Sequence, residues 1–317
     1  MKKIKNQILK RVQDDKRSPL VSVIMPVFNA GHYLVPAIES ILNQSYSNFE
    51  LIIVNDASTD DSLMVINSYH KQFPKKIKVI SLNNNLNKGG DSCANLAIEQ
   101  AKGKYIAKMD ADDIAHPDRI KLQVEYLEKH PKTFLVGSQA YVIDKNGDII
   151  GDKTEPLSHK EIYNSYLTFH PIIHPTAMVR RNLSKNKLFK YKVKYSANND
   201  YFTFFSLICK GYKFANLNER LLYYRIHGKN DTFVHIKEKY LNTLKIRLLM
   251  ITKYGYRPTL KQIIIGITQT IILTILPERF TAYLYLLTKG IIKKEEVVKN
   301  LLNFPKLLLL KAQNAQV

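Results

Sequence analysis

From position 20 the chain alternates short apolar runs with amphipathic stretches. Residues 20–28 (LVSVIMPVF) are β-branched and apolar and stop at Asn29-Ala30-Gly31, which predicts a buried strand ending in a turn. Leu34, Ile38, Ile41 and Leu42 then fall on one helical face. A second strand is predicted over 51–54, closing on Asn55-Asp56. Ser58 and Asp61 have capping-box spacing ahead of a stripe of Leu63, Ile66 and Tyr69. A strand over 77–82, a polar turn over 83–90 and a helix over 94–101 stopped by Gly103 come next. The strand over 105–109 runs straight into Asp110-Ala111-Asp112-Asp113.

Strands alternating with helices predict βαβ units and a mainly parallel, Rossmann-like α/β sheet. Ligands of such sheets bind beyond the carboxyl ends of the strands. Here those ends carry Asn29, Asp56 and the carboxylates of 110–113.

Beyond this series, Pro117 opens a helix that runs to Lys129 before Pro131. Strands are predicted over 134–137 and 139–143, with an Asn146-Gly147 hairpin turn. A helix over 158–166, a strand over 176–179, an aromatic helix over 199–209 capped by Gly211 and a strand over 221–226 follow. From Phe233 helical patterns dominate. Phe233, Ile236, Tyr240, Leu244, Leu248 and Ile251 form one predicted apolar stripe. Residues 263–276 are the most apolar stretch, but fourteen residues before Pro277 fall short of a bilayer span, which needs about 20. The organisation expected is a basic leader (1–19), a sheet domain (20–232) and a basic helical region (233–317).

Charge sharpens this division. The chain has 317 residues and a net charge of +21, but 1–19 holds seven basic and two acidic groups and 233–317 fourteen and four. Residues 20–232 are nearly balanced by comparison, so an ordinary domain carries basic ends that attract polyanions, either nucleic acid or anionic lipid. The leader has no continuous apolar core of the kind a signal peptide needs; Ile4, Ile8, Leu9 and Val12 recur between lysines, as in a short amphipathic basic helix or a solvated leader. Cys93 and Cys209 have no zinc-site spacing and suit a reducing compartment.

Three acidic features carry candidate chemistry. Three carboxylates within 110–113 repel one another unless a cation joins them. A hard divalent ion fits, and such ions bridge carboxylates to phosphates. An isolated Asp-X-Asp is more often a solvated loop, but this one ends the fourth strand of a βαβ series. Asp56 sits where a nucleoside-binding sheet places an acid for sugar or base contacts, and the dipole of the following helix favours a carboxylate there equally. Asp200 opens the aromatic helix NNDYFTFF, at a position suited to a general base or to an ordinary helix start.

In order, VSVIMPVFNAGHYLVPAIESILNQSYSNFELIIVNDASTDDS, AKGKYIAKMDADDIAHPDRI, HPTAMVRR, NNDYFTFF and LLYYRIHG resemble the family-two glycosyltransferases of the GT-A fold, over about 20–232. The resemblance implies a bacterial, inverting enzyme with a helical C-terminal extension. It implies that Pro26, Val27, Phe28 and Asp56 hold the nucleoside of a nucleotide-sugar donor, and that Asp110, Ala111 and Asp112 form the DXD element. Asp112, with Asp110, would ligate Mg²⁺ or Mn²⁺, and Asp200 would deprotonate the acceptor hydroxyl. Arg225 and His227 would bind anionic groups on a mobile loop, and His174 would line the acceptor site or be structural.

Departures fall on fine donor contacts. Asn55-Asp56 replaces a frequent acid pair. Ala94-Asn95 lacks the frequent arginine, for which Lys88 would substitute, and Asn199 replaces a frequent glutamate.

The resemblance implies a hexosyl- or N-acetylhexosaminyltransferase acting on a glycan or lipid-linked acceptor in lipopolysaccharide or capsule synthesis. It would be cytoplasmic, with the basic helical 233–317 region on the inner face of the membrane, or else packed on the catalytic domain or serving as an oligomerisation surface. A nucleotidyltransferase would need a Gly-rich phosphate loop that Asn29-Ala30-Gly31-His32 does not supply. Nucleic acid is not an expected partner, because no recognition motif appears and the charge avoids the sheet domain.

Overall fold

The computed structural model describes residues 18–86, 90–196, 198–227 and 236–275. The leader up to residue 17, Lys88, Phe233 and everything beyond 275 lie outside the described residues. Of the described residues, those up to Gly137 together with His174–Val193 form one compact unit, and Ser138–Ile173 with those from Lys194 form the other.

The first unit is built on the predicted apolar runs. β1 (Val21–Val27) lies between β2 (Phe49–Asn55) and β4 (Tyr105–Lys108), parallel to both, and β3 (Ile77–Ser81) adds outside β2, also in parallel. Every residue of β2 is buried, as expected of a parallel strand covered on both faces. The cover comes from α1 (Leu34–Leu42), α2 (Ser62–Gln72) and α3 (Gly90–Gln100). β5 (Ile114–Ala115) and α4 (Arg119–Lys129) follow β4. The first half of β6 (Thr133–Ile143) and β8 (Met178–Arg180) extend the sheet antiparallel, so it is mixed. β9 (Asn182–Ser184) and β10 (Lys187–Leu188) form a separate short pair.

Register brings the strand ends together. Val27 pairs with Asn55 and Ile24 with Lys108, and Met109 N–H donates to Ile24 O at 3.0 Å. The chain therefore leaves β1, β2 and β4 at one edge, at Phe28, Asp56 and Met109.

The opposite edge is pinned by a buried polar node. Ser22 Oγ donates to Glu50 Oε1 (2.7 Å) and accepts from Gly103 N–H (2.9 Å). Lys102 N–H and Lys78 Nζ also donate to the Glu50 carboxylate, at 2.7 and 2.5 Å. A Cβ on Gly103 would stand 2.5 Å from Ser22 N. The glycine is thus required by this close approach and not as a helix stop, since α3 already ends at Gln100.

In the second unit the rest of β6 forms a hairpin with β7 (Ile149–Lys153) through Asn146-Gly147, with Gly147 at φ 99°. α5 (His159–Ser165) begins with a capping box between Ser158 and Glu161. α6 (Asn199–Cys209) is the predicted aromatic helix, buried from Tyr201 through Ile208. β11 (Lys213–Arg225) neighbours β6. The expected helical C-terminal part is present as α7 (Ile236–Tyr254) and α8 (Leu260–Ile275), with α7 packed on α6. No helix among the described residues is long and apolar enough to cross a membrane.

Four local expectations are corrected. Ser58 does not cap α2; its Oγ accepts from Asn29 N–H at 3.1 Å, and Asp61 is the N-cap. The two strands expected over 134–137 and 139–143 are one, because buried Ser138 continues the ladder. β11 starts eight residues before the predicted 221, through a polar stretch. On α7 the buried side is Ile246, Arg247 and Met250, while Leu248 and Ile251 of the predicted stripe face outward.

Burial pushes the Glu50 carboxyl up, but Lys78, Ser22 and the Lys102 N–H outweigh it and hold the group below the usual range. A lowered folded value stabilises the protein above the unfolded value of about 4.3 and loses that stability as pH falls through the folded value. Glu50→Gln is expected to lower the urea midpoint at neutral pH and to flatten its decline between about pH 5 and about pH 3. Parallel wild-type and variant curves would refute this role.

Candidate active site

In the first unit, the strand ends assemble most of the predicted donor residues. Val27 is buried and Phe28 is 54% exposed just beyond it. Asp56 N–H donates to Val27 O at 2.8 Å, which fastens the two strand ends together. The Asp56 side chain is almost buried and Oδ1 accepts from Leu86 N–H at 2.9 Å. Burial, then the Asp56 carboxylate, push the neighbouring Cys93 thiol up to about 12, so this cysteine is an inert core group. Asn29 and Ala57, the residues after these strands, adopt positive φ of 49° and 56°. α3 begins close against β1, since a Cβ on Gly90 would meet Pro26 Cβ at 3.3 Å.

Asp110, Asp112 and Asp113 present carboxylate oxygens within 4.8 Å of one another. The repulsion inherent in such a cluster is answered from within the chain. Lys108, 3% exposed, ion-pairs with Asp110. Arg119, the first residue of α4, is 1% exposed. Its Nη2 donates to Lys108 O at 2.7 Å and its Nε to Gln123 Oε1 at 3.3 Å. Burial pushes the Arg119 guanidinium down to about 10 while Asp113 and Asp110 support its charge. Burial opposes ionisation of Asp110, but Lys108, His174 and Arg119 prevail and hold its carboxyl below the usual range.

The donor set suits a hard cation: it is all carboxylate oxygen, at a strand end, with Asp110 and Asp112 partly exposed. The buried cations offset part of the negative charge, so the cluster can exist without a bound ion. Asp91, in the first turn of α3, lies 3.6 Å from His174 Nε2, which is also 3.0 Å from Tyr191 Oη. His174 is thus tied among residues of the first unit.

In the second unit, Asp200 stands in the first turn of α6, with Oδ2 3.6 Å from His170 Nε2. His170 sits among the rings of Tyr166, Tyr201 and Phe204. Asn199 accepts from Lys194 N–H (2.9 Å) and Tyr195 N–H (2.8 Å), so the asparagine closes the loop ahead of the helix. Arg225 is 4% exposed and its Nη1 donates to Asp144 O and Lys145 O, at 3.0 and 3.3 Å, which fastens the β6–β7 turn. His227 is the last residue described before 236.

Sequence reasoning did not single out Lys108, Arg119 or His170. Lys108 left a signal, a lone cation in an otherwise apolar buried strand, whereas Arg119 and His170 left none.

Residues 22–188 match the family model described as glycosyl transferase family 2. An uncharacterized glycosyltransferase of Haemophilus influenzae is 36% identical over 244 residues, covering 74% of each chain. The Escherichia coli protein named UDP-Glc:alpha-D-GlcNAc-diphosphoundecaprenol beta-1,3-glucosyltransferase WfaP is 34% identical over 219 residues, 69% of this chain and 82% of that one. Among solved structures, S. aureus TarS 1-349 in complex with UDP-GlcNAc superposes with a TM-score of 0.53 at 21% identity, over 72% of this chain and 66% of that one. The Pyrobaculum calidifontis mannosyltransferase PcManGT, in complex with GDP-Man and Mn²⁺, gives 0.50 at 16% identity, over 83% and 82%. The chain belongs to glycosyl transferase family 2, and it is a glycosyltransferase of the GT-A fold. Membership decides against the nucleotidyltransferase reading.

Arg119→Met removes a buried cation and its hydrogen bonds while leaving Asp113 and Asp110 in place. The expected loss is about 3–5 kcal/mol of unfolding free energy, read by urea denaturation. A loss under about 1 kcal/mol, the range of an exposed pair, would show that Arg119 does not support the cluster.

Proposed function

We propose that this enzyme transfers a sugar from a UDP-linked donor to a hydroxyl of a growing cell-surface glycan, lipopolysaccharide or capsule, with inversion at the anomeric carbon. The observation that carries the reading is the carboxylate cluster of Asp110, Asp112 and Asp113 at the end of β4, on the sheet edge where Asp56 ends β2, in a family-two domain. The name of WfaP specifies a UDP-sugar donor and a diphosphoundecaprenol-linked acceptor, and another Escherichia coli relative is named chondroitin synthase. Both names favour a surface glycan on a lipid or polymer carrier.

In this reading Pro26, Val27, Phe28 and Asp56 cradle the nucleoside, and Lys88 takes the phosphate role of the missing arginine. Asp110 and Asp112 would hold Mg²⁺ or Mn²⁺, which when bound supplies a Lewis acid for the departing diphosphate. Asp200 accepts the proton of the acceptor hydroxyl. The hydroxyl oxygen forms its bond to the anomeric carbon from the face opposite the diphosphate. The bond from that carbon to the phosphate oxygen breaks, and the nucleoside diphosphate leaves with the electron pair. A single displacement of this kind turns an α-linked donor into a β-glycoside. Positioning of donor and acceptor supplies much of the acceleration. Arg225, at the end of β11, and His227, two residues on, are the cations this reading assigns to the anionic groups, and the basic ends of the chain favour work at the inner face of the cell membrane, beside a lipid-linked acceptor.

Asp200→Asn retains the shape of the side chain and removes the base. Transfer from UDP-sugar should fall by roughly a hundredfold or more, while UDP affinity by calorimetry stays within about twofold of wild type. Near-normal turnover would assign the base elsewhere.

A further inference from the structure

α8 bonds inward through polar residues, with Ile265 and Ile272 half-buried beside them, and leaves most of its described aliphatic residues outside. Gln262 is 7% exposed and donates to Asn164 O and Tyr256 Oη. Gln269 accepts from Arg247 Nη1 (3.1 Å) and donates to Thr168 O (3.2 Å), and Thr270 Oγ1 lies 2.9 Å from Tyr240 Oη. The outward side is aliphatic: Leu260, Ile264, Ile267, Ile271 and Ile275 are each at least half exposed. Their spacing of four, three, four and four residues makes one continuous stripe, about 22 Å long at 1.5 Å per residue. Ile263 widens it, and on α7 Leu241 and Leu248 are likewise exposed, two turns apart.

A helix facing only water would place these residues the other way round. The stripe is therefore built for an apolar neighbour, and the surrounding charge states which kind. Residues 236–275 hold seven basic groups and one acidic. Of these, Lys245, Lys253, Arg257 and Lys261 are exposed. An isoleucine stripe on a segment this basic matches an anionic bilayer surface, where the apolar side chains enter the acyl boundary and the lysines meet headgroups. A second copy of this strongly basic chain would bring like charges together. Residues 276–317, with seven basic and three acidic groups, carry the same sign.

We propose that α7 and α8 form a membrane-interface wedge, seated in anionic lipid through the isoleucine stripe of α8. This goes beyond a basic tail held by charge alone, and it stands without the assignment of Asp200, because its test reads binding and not turnover.

The chain has no tryptophan, so Ile267→Trp places a single reporter on the stripe. In full-length protein its emission should be that of an exposed indole in buffer and shift to the blue with phosphatidylglycerol vesicles. Combined Ile264→Gln, Ile267→Gln and Ile271→Gln, with unchanged circular dichroism, should weaken co-sedimentation with those vesicles roughly hundredfold. Raised salt should weaken wild-type binding without abolishing it. Blue emission already present in buffer would mean that the chain itself or a second copy covers the face. That result, equal sedimentation of the triple variant, or no vesicle binding by wild type would overturn the proposal.

Discussion

Two buried cations under an acidic strand end are the constraint on which the first unit is organised. β4 cannot finish in three carboxylates within four residues unless positive charge stands beneath them. Lys108 comes from the strand itself and Arg119 from the start of α4. Arg119 also holds the strand by its own carbonyl, at Lys108 O, and Gln123 carries the connection on to Thr176 O (2.7 Å) and Val136 O (3.2 Å). Strand, helix and the two chain segments that extend the sheet are thus locked by one polar network. The cluster remains anionic in sum but is stable enough to be presented at an open strand edge.

The same economy governs the other strand ends. The hydrogen bond from Asp56 N–H to Val27 O ties β2 to β1 just where both chains turn away from the sheet. Asn29 and Ala57 turn there through left-handed backbone conformations that cost energy for residues with a Cβ. Strain, near-burial of a carboxylate and a clustered charge all fall at one edge of one sheet, the edge at which open α/β sheets bind their ligands. In the second unit the polar effort lies elsewhere. Arg247 and Gln269 fix α7 and α8 from the inside, while Leu241 and Leu248 of α7 and the isoleucine stripe of α8 stay outside.

Much of this was legible in the sequence because of how parallel strands are covered. β1, β2 and β4 read as unbroken apolar runs, and their ends are marked by the first polar residues after each run. Asp56 and 110–113 were found in that way. The partners were harder to see. Arg119 looks like any exposed residue of an amphipathic helix start, and only the fold brings it under Asp113. His170 meets Asp200 across thirty residues of sequence with no periodic signal. The first part of β11, KFANLNER, is too polar to announce a strand, and its extended form depends on pairing with its neighbours. The stripe expected on α7 misjudged the buried side because a helix that buries arginine and leaves leucine outside reverses the premise of periodicity.

The claim that bears the most weight is that the strand-end carboxylates hold a divalent ion against a nucleoside diphosphate. Mn²⁺ titration followed by electron paramagnetic resonance, with and without UDP, tests it directly. One Mn²⁺ should bind the wild-type protein, more tightly when UDP is present, and Asp112→Ala should lose the UDP-dependent gain while remaining folded. Equal Mn²⁺ binding by wild type and variant, or binding indifferent to UDP, would contradict the account.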